Sequence, residues 1–121
     1  MPKKILVIDD EQEILNLLTA RLKANRYEVV TASDGEEGLE KFIKEKPDLI
    51  ILDIFMPKID GYTLVRELKT AVDAKTVPII VLTAKDLMRD LFKMEGISDY
   101  IVKPFVAEDL MEKIVKQIGP A

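Results

Sequence analysis

Short apolar runs alternate with apolar residues at helical spacing along the whole chain. Ile5 to Ile8 is a continuous apolar run of the kind covered on both faces of a sheet, and Ile14, Leu15, Leu18 and Leu22 follow at the spacing of one helix face. Tyr27 to Thr31 predicts a second strand. Ser33-Asp34-Gly35 then supplies an N-cap, and the helix it starts carries Leu39, Phe42 and Ile43 until Lys46-Pro47 stops it. Leu49 to Leu52 is the third strand; its loop ends at Gly61, before a helix that buries Tyr62, Val65 and Leu68. Val77-Pro78 opens a fourth strand through Leu82. A shorter helical segment from about Asp86 to Met94 carries Leu87, Met88, Leu91 and Phe92, and Gly96 closes it. Asp99 to Val102 is the last strand, and Val106, Leu110, Met111, Ile114, Val115 and Ile118 form the apolar stripe of a final helix.

Five strand-helix units in series predict an α/β fold, and right-handed crossovers wind them into one doubly wound parallel sheet. At 121 residues the chain fits a single domain, residues 1–121, with no repeats or linkers to divide it. No apolar run approaches the roughly 20 residues of a membrane span, so no membrane insertion is expected. Met1-Pro2-Lys3-Lys4 leads straight into the first strand rather than into a signal segment, which gives a cytoplasmic expectation. The chain contains neither cysteine nor histidine, which excludes disulfides, thiolate and imidazole metal sites and histidine-based catalytic triads. Its net charge of −4 argues against direct nucleic-acid binding, for which a basic patch is the usual footprint.

The candidate chemistry sits where four of the apolar runs end: Asp9-Asp10, Asp53, Thr83 and Lys103. The carboxyl ends of strands in an open parallel sheet border the ligand crevice, so these endings converge on one pocket of carboxylates, a hydroxyl and an ammonium. Singly, each residue has a plainer reading. An Asp after a strand is most often a turn former or helix cap, Thr83 a β-branched strand end, Lys103 a solvated lysine and Tyr100 a half-buried core aromatic. The joint arrangement carries the functional reading.

Together with Asp53-Ile54-Phe55-Met56-Pro57, Asp60-Gly61, Leu82-Thr83-Ala84 and Lys103-Pro104-Phe105, the constellation resembles the receiver domain of two-component response regulators over nearly the whole chain. The resemblance implies a flavodoxin-like (βα)5 fold with strand order 2-1-3-4-5. It also implies that Asp53 is the phosphoacceptor for a phosphohistidine on a sensor histidine kinase or histidine phosphotransfer protein, the chain acting as a signalling domain rather than a turnover enzyme. With no histidine here, the donor must come from outside the chain. Clustered carboxylates raise one another's pKa unless a cation neutralises them, and Mg²⁺ suits an all-oxygen pocket that must also accept phosphate oxygens. By resemblance, Asp10 and Asp53 ligate Mg²⁺ directly, the Phe55 carbonyl adds a third protein oxygen and Asp9 acts through water. Lys103, Thr83 and the Ala84 N–H stabilise the phosphoryl oxygens. Thr83 and Tyr100 form the switch that passes the signal, by way of the fourth and fifth helices, to a downstream output domain or protein. The resemblance further implies a cis peptide bond between Lys103 and Pro104.

Two other classes share parts of the pattern. Haloacid-dehalogenase-type phosphatases place a general acid/base Asp two residues after the nucleophile, where this chain has Phe55. A flavodoxin-like binder needs a phosphate loop rich in Ser, Thr and Gly, whereas Asp9-Asp10-Glu11 repels a phosphate without metal. A phosphorelay intermediate or an interaction-only receiver is the nearer alternative. The stretch from Thr83 to Lys103 is about two residues shorter than the resembled family's usual span, roughly half a helical turn. A short or irregular Asp86 to Glu95 segment, the least protected of the five helices, is therefore expected.

Overall fold

Residues 3–53, 65–68, 77–84 and 97–121 are described by the computed structural model. The strands are β1 (Lys4–Ile8), β2 (Glu28–Ala32), β3 (Leu49–Asp53), β4 (Ile79–Ala84) and β5 (Asp99–Lys103). Helices α1 (Gln12–Ala24) and α2 (Gly35–Glu45) and the C-terminal helix (Ala107–Ile118) flank them, and residues 65–68 are helical. All strand pairings are parallel, in the order β2-β1-β3-β4-β5. This is the expected five-stranded doubly wound sheet with its switch point beside β1. The expected Asp86 to Glu95 helix, Tyr62 and Phe55 lie outside the described residues.

The sheet divides the core into two layers because successive strand side chains point to opposite faces. Leu6, Ile8, Ile50, Leu52, Ile79 and Val81 face α2, Val65 and Leu68. Ile5, Val7, Ile51, Ile80, Leu82 and Ile101 face Leu15, Leu18 and Leu22 of α1 and Leu110 and Ile114 of the C-terminal helix. Covering on both faces explains why β1, β3 and β4 read as continuous apolar runs rather than alternating ones.

Two of the expected helix stripes are narrower than their sequence suggests. Ile43 is 60% exposed, as are Val106 at 58% and Val115 at 43%. On α2 the buried positions are Gly35, Gly38 and Phe42, and Ile43 lies about 100° further round than Phe42, outside the contact. Val115 stands in the same relation to Ile114. The second strand starts one residue later than expected: Tyr27 is buried ahead of it, its hydroxyl donating to the Gly119 carbonyl at 2.8 Å. Lys3 Nζ donates to the Ile118 carbonyl beside it, so the end of the C-terminal helix is held against both β1 and β2.

Local signals set the helix boundaries. Asp34 Oδ1 accepts the Glu37 N–H at 2.9 Å, and Glu37 Oε1 reaches back to the Ser33 N–H at 2.7 Å, so orphan donors on both sides of the α2 start are satisfied. That same bond is the main reason the Glu37 carboxyl lies below its usual range. Lys46 ends α2 in the left-handed conformation, with Pro47 following.

Candidate functional site

Side-chain phase decides which strand-end groups meet. Asp9 follows Ile5 and Val7 in phase, Asp53 follows Ile51, and Lys103 follows Ile101, so all three point toward the α1 side of the sheet. Asp9 extends the ladder past β1, its N–H donating to Ala32 O at 3.1 Å. Thr83 is in phase with Val81 and faces the other layer, flanking the same strand ends from across the sheet.

Three carboxylates share the Lys103 ammonium. Its Nζ lies 3.4 Å from Asp53 Oδ2, 3.5 Å from Asp9 Oδ2 and 3.4 Å from Glu11 Oε1. Asp9 is 0% and Asp53 5% exposed, so two acids are held out of water with one cation between them. Burial pushes the Asp9 carboxyl up to about 6; the Glu11 N–H donating to Asp9 Oδ1 at 2.9 Å opposes the rise, and the Asp53 charge adds to it. Burial alone draws the Lys103 ammonium down, but the Asp53, Asp9 and Glu11 charges together outweigh it and hold the group above the ordinary lysine value.

Asp10, exposed at the rim, completes the acidic group: one carboxylate oxygen each from Asp9, Asp10, Glu11 and Asp53 lie within 4.8 Å of one another. The donor set is all hard oxygen, which fits Mg²⁺ or Ca²⁺ and disfavours Zn²⁺ or copper. The crowding of like charges and the raised Asp9 pKa give a divalent cation an electrostatic reason to bind.

The other expected residues take separate places. Thr83 is buried at the end of β4, and Ala84 is in register with Lys103 on β5. The peptide bond from Lys103 to Pro104 is cis, as expected. Tyr100 pairs with Val81, so it shares the Thr83 face two positions back along the sheet, away from the carboxylates, and it is 39% exposed rather than half-buried in the core. Glu11, which the sequence offers only as part of the acidic run after β1, joins the site as a partner of Lys103. It occupies the N-cap position of α1 without capping it, and its longer side chain reaches Lys103 instead. Its place directly after Asp9-Asp10 is the only signal the sequence carries.

Residues 5–115 match the family described as the response regulator receiver domain. The alkaline phosphatase synthesis transcriptional regulatory protein PhoP of Bacillus subtilis is 45% identical over 116 residues, covering 94% of this chain and 48% of that protein. This chain thus spans about half the length of the curated relatives it matches. Among solved structures, the chemotaxis protein CheY4 of Vibrio cholerae superposes with a TM-score of 0.91 at 32% identity, covering 98% of this chain and 100% of that one. The response regulator TrrA of Thermotoga maritima, solved in complex with Mg(2+)-BeF, superposes with a TM-score of 0.86 at 39% identity, covering 96% and 99%. Family match, identity and strand order agree: the chain belongs to the response regulator receiver domain family of two-component signalling proteins.

Proposed function

We propose that Asp53 is the phosphoacceptor of this receiver and that its acyl phosphate is the signal. The observation that carries this reading is the Lys103 ammonium, 3.4 Å from Asp53 Oδ2 among buried strand-end carboxylates. An Asp53 oxygen attacks the phosphorus of a phosphohistidine on a sensor histidine kinase or histidine phosphotransfer protein. The new O–P bond forms as the P–N bond breaks, and the electron pair leaves with the imidazole, which takes a proton. A carboxylate is already anionic at neutral pH, so no general base is required. Charge on the equatorial oxygens is the main demand of such a loose transition state, and Lys103, the Thr83 hydroxyl and the Ala84 N–H answer it.

Asp10, Asp53 and the Phe55 carbonyl would hold Mg²⁺, with Asp9 acting through water. When bound, the ion supplies divalent charge at the phosphoryl oxygens. The acyl phosphate adds a charge comparable to that of other phosphorylated side chains, near −1.5 to −2. Thr83 follows that charge by hydrogen bonding, and Tyr100, on the same face, follows Thr83. Residues 1–121 act as one cytoplasmic phosphoacceptor domain rather than as a turnover enzyme. The PhoP relative is named as a transcriptional regulator and is about twice as long, which supports an output domain or protein downstream.

The test is intact mass after exposure to a small high-energy phosphodonor with Mg²⁺. One phosphoryl group is expected on the parent, and none on Asp53→Asn or without metal. Undiminished labelling of Asp53→Asn overturns the assignment.

A further inference from the structure

The C-terminal helix grips β5 near its start, at the end away from Lys103. Lys113 Nζ lies 3.1 Å from Asp99 Oδ1 and 6.0 Å from the centroid of the Tyr100 ring. The same Asp99 oxygen accepts the Tyr100 N–H at 2.8 Å. Both members of the ion pair are largely withdrawn from water, the side chains of Lys113 and Asp99 being 32% and 20% exposed. A single carboxylate oxygen thus fixes the backbone of Tyr100 and the cation beside its ring.

The topology makes this contact unusual. Tyr100 belongs to the Thr83 and Val81 face, whereas the C-terminal helix packs beneath the opposite, Ile101 face. β5 is the outermost strand, so Lys113 reaches the ring around the open edge of the sheet rather than through it. An aromatic ring left to burial alone would turn against its own face. An ammonium beside the outward ring favours the opposite orientation.

We propose that Lys113, held by Asp99, is a positioning residue that keeps Tyr100 turned outward until phosphorylation draws the ring toward Thr83. The inference rests on the reading of Tyr100 as the partner of Thr83. The two ring positions are one equilibrium, so a contact made only in the outward position biases it by the strength of that contact. A cation beside an exposed ring shifts such an equilibrium about two- to fivefold. Lys113 therefore sets how far the unphosphorylated domain already samples the active ring position.

Fluorotyrosine NMR on the full chain tests this, with the Tyr100 resonance identified by its loss in Tyr100→Phe. The H2O/D2O isotope shift of that resonance reports ring exposure independently of nearby charge. In the parent, beryllofluoride with Mg²⁺ is expected to reduce the shift. In Lys113→Ala the shift should already be reduced without beryllofluoride, by the amount a two- to fivefold change in ring populations gives, while Lys113→Arg keeps the parent value. A parent-like shift in Lys113→Ala, with the parent still responding to beryllofluoride, overturns the latch and leaves the switch standing. No response in the parent overturns the switch reading and the latch with it.

Discussion

Lys103 Nζ stands 3.4 Å from Asp53 Oδ2 and 3.5 Å from Asp9 Oδ2, so one ammonium holds two buried carboxylates that would otherwise repel. A divalent cation bound by the same acids does much the same electrostatic work. Lysine and a bound divalent cation should therefore be partly interchangeable as counter-charges for the resting fold.

Replacing Lys103 with Met should lower the metal-free stability by about 2 kcal/mol, since charge-assisted bonds to buried acids are lost and the acids remain. The deficit should shrink as Mg²⁺ is added, because acids left without the ammonium should bind the cation more tightly, and tighter binding to the native state stabilises it more. Urea unfolding of the parent and Lys103→Met, each with and without Mg²⁺, checks both parts. An equal metal-induced gain in the two proteins would falsify the interchange.

Asp9 gives a pH dependence of the opposite sign to an ordinary ion-paired acid. Its folded pKa is raised from 3.8 to about 6, so its contribution to stability is fully present below 3.8 and is lost as pH rises through about 6. Asp9→Asn mimics the protonated form and keeps an acceptor for the Glu11 N–H. In metal-free buffer the substitution should stabilise the fold at pH 8 by on the order of 2 kcal/mol and do little at pH 4. Thermal unfolding across that range decides it, and a gain that does not grow with pH removes Asp9 as its source.

Metal affinity should depend on the rim as well as on the buried acids. Asp10 is exposed, yet it lies in the same oxygen cluster as Asp9 and Asp53, so Asp10→Asn removes a charged donor without opening the core. Calorimetric titration with Mg²⁺ should give at least tenfold weaker binding than the parent at pH 8. The parent's own affinity should fall as pH drops through about 6, because the Asp9 proton competes with the cation. Equal affinity for parent and Asp10→Asn places the metal elsewhere.

Legibility in the sequence followed the range of the forces involved. The strands β1, β3 and β4 were readable because burial on both faces demands unbroken apolar runs, and Asp9, Asp53 and Thr83 because they stand where those runs stop. Glu11 was not readable, since its link to Lys103 spans 92 positions and exists only after β1 and β5 are brought to one crevice. The exposure of Ile43 was hidden for a similar reason: which flank of α2 is buried depends on how closely that helix approaches β1. Gly38, which meets the Ile8 side chain, sets that approach.

The closeness of α2 to β1 is itself a prediction about the site. A Cβ added at Gly38 would lie 2.6 Å from Ile8 Cδ1, 3.0 Å from Ile8 Cγ1 and 3.2 Å from Ile8 Cγ2. Ile8 is 0% exposed and immediately precedes Asp9, so its side chain has little room to yield. Alanine gains about 1 kcal/mol over glycine in helix propensity, while overpacking a tight core costs about 1–3 kcal/mol. Gly38→Ala should therefore destabilise the protein by roughly 1 kcal/mol. Ile8→Val removes the Cδ1 atom that clashes and by itself should cost about 0.5–1.5 kcal/mol. If the clash is the cause, the double variant should be more stable than the sum of the two single effects allows, by at least 0.5 kcal/mol of coupling. Chemical unfolding of the four proteins measures that coupling, and strict additivity would mean that Gly38 is required for some reason other than the approach of Ile8.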